Sequence, residues 1–382
     1  MNLKKAIAGV CLGALLLTGG CGQNQSNTQQ KQDTTEQNTT EQNTTQAQEA
    51  AVAQTEASSE NGDADGQSQA EASRDIFAMD TYMSVTAFGE NADAAVDAAQ
   101  AEIERLDAML STGNGDSEIA KLNVSGTAEL SVDAGYLVER ALELYTETGG
   151  AFDIAIYPVM EAWGFPSQNY QVPSEDVLQE RLALTDASKV SYDADSREIS
   201  FSEAGMEIDL GGIAKGYTSA RIMDIFRSYG ITSGLVNLGG NVQVLGTKTD
   251  GSKWRVAVQS PDDESDYLGV LSVSDKAVIT SGGYERYFEQ DGITYHHIID
   301  PKTGYPAENG LKSVTIVSAD GTLADGLSTS LFIMGKEQAA EFWRMHSDEF
   351  DAILLTDDGT IYVTEGIADD FSTELPAEVI SR

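Results

Sequence analysis

Basic residues are scarce in this chain. Against 62 Asp and Glu there are 23 Lys and Arg in 382 residues, a formal net charge of −39. Gripping a phosphate backbone takes clustered cations, so the composition argues against nucleic acid as a partner. Glycine has no strict period and apolar heptads are missing, which excludes collagen and coiled coil. Cysteine occurs twice and histidine three times, so a nucleophile–base pair has few possible members. The apolar run Ala6–Leu17 is too short to cross a bilayer as a helix. The 41% apolar content suits a folded part joined to a polar part.

What is present begins with an address. Lys4 and Lys5 precede the apolar run, in the order of a signal peptide. The run ends in Leu17-Thr18-Gly19-Gly20-Cys21, which resembles the lipobox of bacterial lipoproteins. That resemblance implies a signal peptide over 1–20, lipid on Cys21 as the first mature residue, and an extracytoplasmic protein anchored to the bacterial cell membrane. Cys11 would leave with the signal, so the mature domain would carry no thiol for a disulfide, a thiolate metal site or catalysis. Residues 21–74 are rich in Gln, Asn, Thr, Ala, Ser and Glu and hold no aromatic residue. Such a stretch cannot bury enough surface to offset its ordering entropy, so it reads as a tether. The folded domain is expected over 75–382.

Within that domain the apolar spacing predicts alternating runs of strand and helix. Ile76–Phe88 reads as one strand and Asn91–Leu110 as a helix. Asp133 can cap a second helix that ends at Gly149-Gly150, and Ser174 a third. Strands follow at Lys189–Tyr192, Glu198–Phe201 and Met206–Leu210, then a helix over Ile213–Tyr229. Further strands are expected near Gly234–Leu238, Val242–Leu245, Trp254–Gln259, Val270–Val273, Ala277–Thr280, Glu285–Phe288, Thr294–Ile299 and Ser313–Val317. Helices at Ala324–Met334 and Lys336–Met345 precede a hairpin at Ala352–Thr364. Strands outnumber helices and cluster in runs, so the class is α+β with mixed, mostly antiparallel sheets and packed helices.

Three local patterns bear on chemistry. His296 and His297 end a strand before the turn Asp300-Pro301-Lys302-Thr303-Gly304; adjacent strand residues face opposite ways, so at most one of them enters a given site. A buried structural histidine fits that pattern as well as a base does. Asp209-Leu210-Gly211-Gly212-Ile213-Ala214-Lys215 reads as strand, glycine turn and helix start, where backbone can approach an anion and Lys215 adds a cation. Asp325 and Thr329 lie four apart, on one helix face, and supply the hard oxygens that suit Mg²⁺. A helix cap or first-turn acid is the alternative for Asp325. Together the patterns describe chemistry on a pyrophosphate.

The same residues carry a wider resemblance. Met79-Asp80-Thr81, Ser117-Glu118-Ile119-Ala120-Lys121-Leu122-Asn123, Gly150-Ala151-Phe152-Asp153 with Pro158 and Trp163-Gly164-Phe165, and Asp209 through Tyr217 resemble, in order, the motifs of the FAD:protein FMN transferase (ApbE) family. Thr280-Ser281-Gly282, Tyr284-Glu285-Arg286, His297 through Gly304, and Ala324-Asp325-Gly326-Leu327-Ser328-Thr329 extend the series. The resemblance implies an ApbE, T-fold-like single catalytic unit that moves FMN from FAD to a Thr hydroxyl of an acceptor flavoprotein. It implies Mg²⁺ dependence and AMP as the leaving group. Met79, Ala151, Phe152, Asp153, Asp209, Lys215 and Ile299 would contact FAD. Asp325 and Thr329 would bind the metal by side chain and Gly212 by its carbonyl, and His297 would be the base. An Mg²⁺-dependent FAD pyrophosphatase and a non-catalytic flavin-binding lipoprotein are the alternatives. Asp325–Thr329 also loosely resembles the acceptor motif itself, which raises self-flavinylation as a further possibility.

Overall fold

The computed structural model describes residues 70–382 except Glu264. Cys21, the signal segment and nearly all of the expected tether lie outside the described residues. Strand β1 (Glu71–Ala78) already starts inside the stretch read as tether. It forms an antiparallel hairpin with β2 (Thr81–Phe88). The single strand expected over Ile76–Phe88 is therefore two strands. Met79 and Asp80 both take left-handed backbone angles (φ 49° and 58°) and turn the chain between them. Two consecutive positive-φ residues make a turn of the hand that fits strand twist. The apolar alternation runs on through the turn, which hides it from a period-two reading.

Helix α1 (Ala92–Leu110) follows as expected and buries Val96, Ala99, Ile103 and Leu106. Two helices went unread, α2 (Glu118–Ser125), capped by Ser117, and α4 (Tyr157–Trp163), which has Pro158 in its first turn. Between them α3 (Val132–Glu147) is capped by Ser131, whose hydroxyl accepts from the Ala134 N–H, and not by Asp133. Asp133 sits in the first turn instead and pairs with Arg105. Ser174 caps α5 (Glu175–Leu182) as expected. A small sheet is built from β3 (Thr127–Glu129), β4 (Val190–Asp193) and β5 (Glu198–Phe201).

The strand expected over Met206–Leu210 does not form. Met206, Ile208 and Leu210 are buried in alternation, as a strand's would be. The segment's backbone bonds, however, go elsewhere than to a strand. Ile208 exchanges two 2.9 Å hydrogen bonds with the Asn123 side chain, and the Asp209 N–H donates to the Ile154 carbonyl. It delivers the chain to α6 (Gly211–Ser228).

The main sheet gains β6 (Ser233–Leu238), β7 (Asn241–Gly246), β10 (Ala277–Gly282), β13 (Leu311–Ser318), β14 (Phe350–Thr356), β15 (Ile361–Thr364) and β17 (Ala377–Ile380). Nine strands run in the order β1-β2-β6-β7-β10-β13-β14-β15-β17, all antiparallel but the last pair. β8 (Trp254–Gln259), β9 (Tyr267–Val273) and β16 (Phe371–Ser372) make a second small sheet, and β11 (Tyr287–Gln290) with β12 (Ile293–His296) a separate hairpin. β12 ends at His296, so the strand expected to Ile299 stops short of His297. Helices α7 (Gly321–Met334) and α8 (Lys336–Met345) complete the fold. Asp320, not Asp325, caps α7.

Both faces of the central strands are buried. Ala277, Ile279, Val314 and Ile316 pack with α6 and α7 on one face. Val242, Val278 and Val317 pack with Trp254, Val256 and Leu271 of the small sheet on the other. A sheet covered on both sides holds its helices rigidly, because apolar contact on each face fixes the strand register. Helices α6 and α7 cross at glycines. A Cβ on Gly216 would stand 2.1 Å from the Gly321 carbonyl oxygen, and one on Gly321 would stand 2.7 Å from the Gly216 carbonyl oxygen. No described helix is long and apolar enough to cross a membrane.

Candidate active site

The close helix crossing puts Asp325 where it is. Its side chain is 5% exposed. One carboxylate oxygen accepts from the Gly216 N–H at 2.8 Å and the other from the Asn241 amide at 2.9 Å. Burial raises its pKa, opposed first by the positive charge of Lys215. The two donors and the Lys215 charge favour the ionised form against that burial, as a bound cation would. Thr329 follows one turn later on α7 and lies 3.3 Å from Ser281 of β10. Phe152 packs against both helices. Its ring is 3.2 Å from the Cβ position of Gly212 and 3.7 Å from that of Gly326. Gly212, Asp325 and Phe152 thus gather near the start of α6.

Helix α6 starts at Gly211, whose N–H is taken by the Asp209 carboxylate at 3.0 Å. Burial raises the Asp209 pKa, with Asp80 adding to the rise and Arg286 opposing it. The Met79-Asp80 turn therefore borders the site, and the Met79 sulfur reaches the Thr218 hydroxyl on α6. The start of a helix is an end where backbone N–H groups favour anions.

The two adjacent histidines differ in what their rings can do. His296 has both nitrogens occupied: Nδ1 accepts from the Ile298 N–H at 3.2 Å and Nε2 donates to the Ala307 carbonyl at 3.1 Å. It is a structural histidine. His297 is half-buried, and its Nδ1 lies 3.1 Å from the Arg286 carbonyl. A carbonyl only accepts, so Nδ1 carries the proton and Nε2 holds the lone pair. The His297 pKa is pushed down to about 3, chiefly by burial and then by the positive charges of Arg286 and Lys215. A neutral imidazole of fixed tautomer is a ready proton acceptor. The third histidine, His346, pairs with Glu349 and stacks on Phe342 at the end of α8.

Three further residues expected to contact FAD are buried in the fold. Both Asp153 oxygens are taken by the chain itself, from the Ala155 N–H at 2.8 Å and the Ala187 N–H at 3.2 Å. Ile299 buries its side chain with Val159, Trp163 and Phe165. Ala151 is buried as well. At Asp153 the side-chain oxygens are already engaged in holding the fold.

The donor set suits Mg²⁺. Among the described residues no group of three His, Cys, Asp and Glu side chains could hold a metal by itself. One carboxylate, one hydroxyl and one main-chain carbonyl are hard oxygen donors, and Mg²⁺ commonly completes such a set with water and substrate phosphate. Asn241 and Ser281 were not read as site residues. Asn241 follows a glycine turn 84 residues before Asp325, and no local pattern joins positions so far apart.

Comparison with known proteins agrees with this geometry. A family model described as "ApbE family" matches residues 79–354. The FAD:protein FMN transferase of Treponema pallidum (strain Nichols) is 34% identical over 323 residues, covering 78% of this chain and 88% of that protein. The enzyme of that name from Klebsiella pneumoniae (strain 342) is 36% identical over 258 residues, covering 66% and 79%. Among solved structures, the ApbE protein of Thermotoga maritima superposes with a TM-score of 0.74 at 31% identity, covering 79% of this chain and 99% of its own. The flavin transferase ApbE of Vibrio cholerae gives 0.71 at 27% identity, covering 79% and 99%.

Proposed function

Because the chain belongs to the ApbE family, we propose that it is an FAD:protein FMN transferase that moves FMN from FAD to a Thr hydroxyl of an acceptor flavoprotein and releases AMP. The observation that carries the reading is the His297 ring, neutral and with its Nε2 lone pair left free by the Arg286 carbonyl. A Thr hydroxyl has a pKa far above neutrality and attacks phosphorus only as its proton leaves. In the proposed step Nε2 takes that proton while the Thr oxygen bonds to the flavin-side phosphorus. The bond from that phosphorus to the bridging oxygen breaks, and its electrons leave with AMP.

Asp325 and Thr329 by side chain, and Gly212 by carbonyl, would hold Mg²⁺. When bound, that ion neutralises charge on the pyrophosphate and on the departing phosphate. Lys215 adds positive charge on the same side, since its field acts on both Asp325 and His297. Met79, Phe152 and Asp209 border the same space and support the reading of an FAD pocket there, with Ala151, Asp153 and Ile299 as its supporting wall. Self-flavinylation at Thr329 finds no support, because Thr329 lies within α7, next to the fully buried Ser328.

The lipobox-like Leu17–Cys21 supports a lipid-anchored enzyme acting outside the cytoplasm, on acceptors at the same membrane face. Incubation with FAD, Mg²⁺ and a Thr-bearing acceptor tests the function. Covalent fluorescent labelling with one AMP per label supports the transferase. Free FMN and AMP without label points to the pyrophosphatase, and no AMP at all would leave only flavin binding.

A further inference from the structure

Two polar side chains on neighbouring strands touch the residues given above to Mg²⁺, and the inference drawn from them rests on that reading. Asn241 opens β7 and is 3% exposed. Its Nδ2 donates to one Asp325 oxygen while the Gly216 N–H donates to the other. An ionised carboxylate only accepts, so the amide faces it with its NH₂ group. The Lys215 main-chain N–H acts on the same carboxylate, so its donors come from both α6 and β7. These donors also stop rotation of the carboxylate.

Ser281 of β10 does the corresponding thing for Thr329 through a chain of hydroxyls whose direction is forced. The Ser328 hydroxyl donates to the Asp325 main-chain carbonyl at 2.8 Å. Its proton is then spent, so the 2.7 Å contact between Ser281 and Ser328 has Ser281 as donor. With that proton spent too, the 3.3 Å contact between Thr329 and Ser281 has Thr329 as donor. The Thr329 proton points toward β10 and its lone pairs point elsewhere. A hydroxyl can ligate a cation only in that state. β7 and β10 pair directly, through Val242 and Val278, so one strand pair fixes both ligands.

We propose that Asn241 and Ser281 are positioning residues for the cation, setting the Asp325 carboxylate and the Thr329 lone pairs before it arrives. Groups that orient metal ligands are worth about 10–100-fold in metal affinity. The test uses the full chain without FAD and Mg²⁺ alone as the probe, read by titration calorimetry. Asn241→Leu keeps the approximate size of the side chain and removes the donor without adding a charge. Ser281→Ala removes one hydroxyl and nothing else, and Ser281→Thr restores it.

The expected result is a dissociation constant for Mg²⁺ raised about 10–100-fold in Asn241→Leu and in Ser281→Ala, with Ser281→Thr near the unsubstituted protein. The Mg²⁺ concentration for half-maximal AMP release from FAD should rise in step, with kcat recovering at saturating Mg²⁺ in Ser281→Ala. A purely structural role would lower the melting temperature without moving either metal reading. Unchanged Mg²⁺ affinity in both folded variants overturns the inference alone. No Mg²⁺ binding by the unsubstituted protein, together with AMP release from FAD that does not depend on Mg²⁺, overturns the metal reading and the inference with it.

Discussion

The Nδ1 atom of His297 lies 3.1 Å from the carbonyl oxygen of Arg286, and that contact decides which ring nitrogen can act as a base. His297→Ala should nearly abolish transfer while FAD still binds, as measured by covalent flavin on the acceptor and by fluorescence quenching of free FAD. Normal labelling by the variant would remove His297 from the mechanism. The depressed pKa adds a pH expectation. A base with its pKa near 3 stays unprotonated through the mildly acidic range. The acid limb of kcat/KM should therefore lie well below the ordinary histidine value of about 6.5. A limb centred near that ordinary value would contradict the burial argument.

Asp325 supplies the second prediction. Its two oxygens are held by Gly216 and Asn241, and it stands beside Lys215. Asp325→Ala should nearly abolish AMP release and labelling alike, because it removes the single carboxylate of the proposed metal set. In the unsubstituted protein, chelation by EDTA should stop AMP release and excess Mg²⁺ should restore it. Full activity after exhaustive chelation would show that the site works without a metal.

How much of this was open to a reader of the sequence depended on whether the governing contact was local. The helix holding Asp325 and Thr329 is legible because Leu327, Leu331 and Phe332 repeat at helical spacing. Its start was misplaced because Asp320, the true cap, lies in a stretch without that period. The Met79-Asp80 turn stayed hidden because neither residue is glycine, although both adopt angles glycine prefers. Met206–Leu210 alternates as a strand does, yet its backbone partners are Asn123 and Ile154, which no spacing rule can supply. Strand alternation admits at most one of the two adjacent histidines, His296 and His297, to a site. Choosing between them on physical grounds needed the Ala307 and Arg286 carbonyls.

Asp153 tests the separation of fold from ligand binding. Its carboxylate is the acceptor for two buried N–H groups, those of Ala155 and Ala187. Asp153→Ala leaves both without an acceptor, at about 1–3 kcal/mol for each buried donor. Urea denaturation should show that loss. Burial pushes the Asp153 pKa up to about 6, above its unfolded value of about 3.9. The folded state then holds the proton more tightly than the unfolded one, so this contribution is present at low pH and is lost as pH rises from about 4 to 6. The Ala variant should lack that downward slope. An identical slope in both proteins would place the titration on another group.

Gly216 is the most demanding position in the helix crossing. A Cβ there would stand 2.1 Å from the Gly321 carbonyl oxygen and 2.5 Å from the Cβ of Asp325. Both neighbours are fixed by backbone, so Gly216→Ala can be accommodated only if α6 and α7 separate. Overpacking of this kind costs about 1–3 kcal/mol and can exceed it where no side chain can yield. The Gly216 N–H also holds Asp325, so the separation should weaken the metal site along with the fold. The expected signature is a lowered melting temperature together with a higher Mg²⁺ requirement for AMP release. Gly115→Ala is the control, since a Cβ there meets nothing within 4 Å. A Gly216→Ala protein that melts normally and keeps its Mg²⁺ requirement would mean that the two helices are not in the close contact from which the site is built.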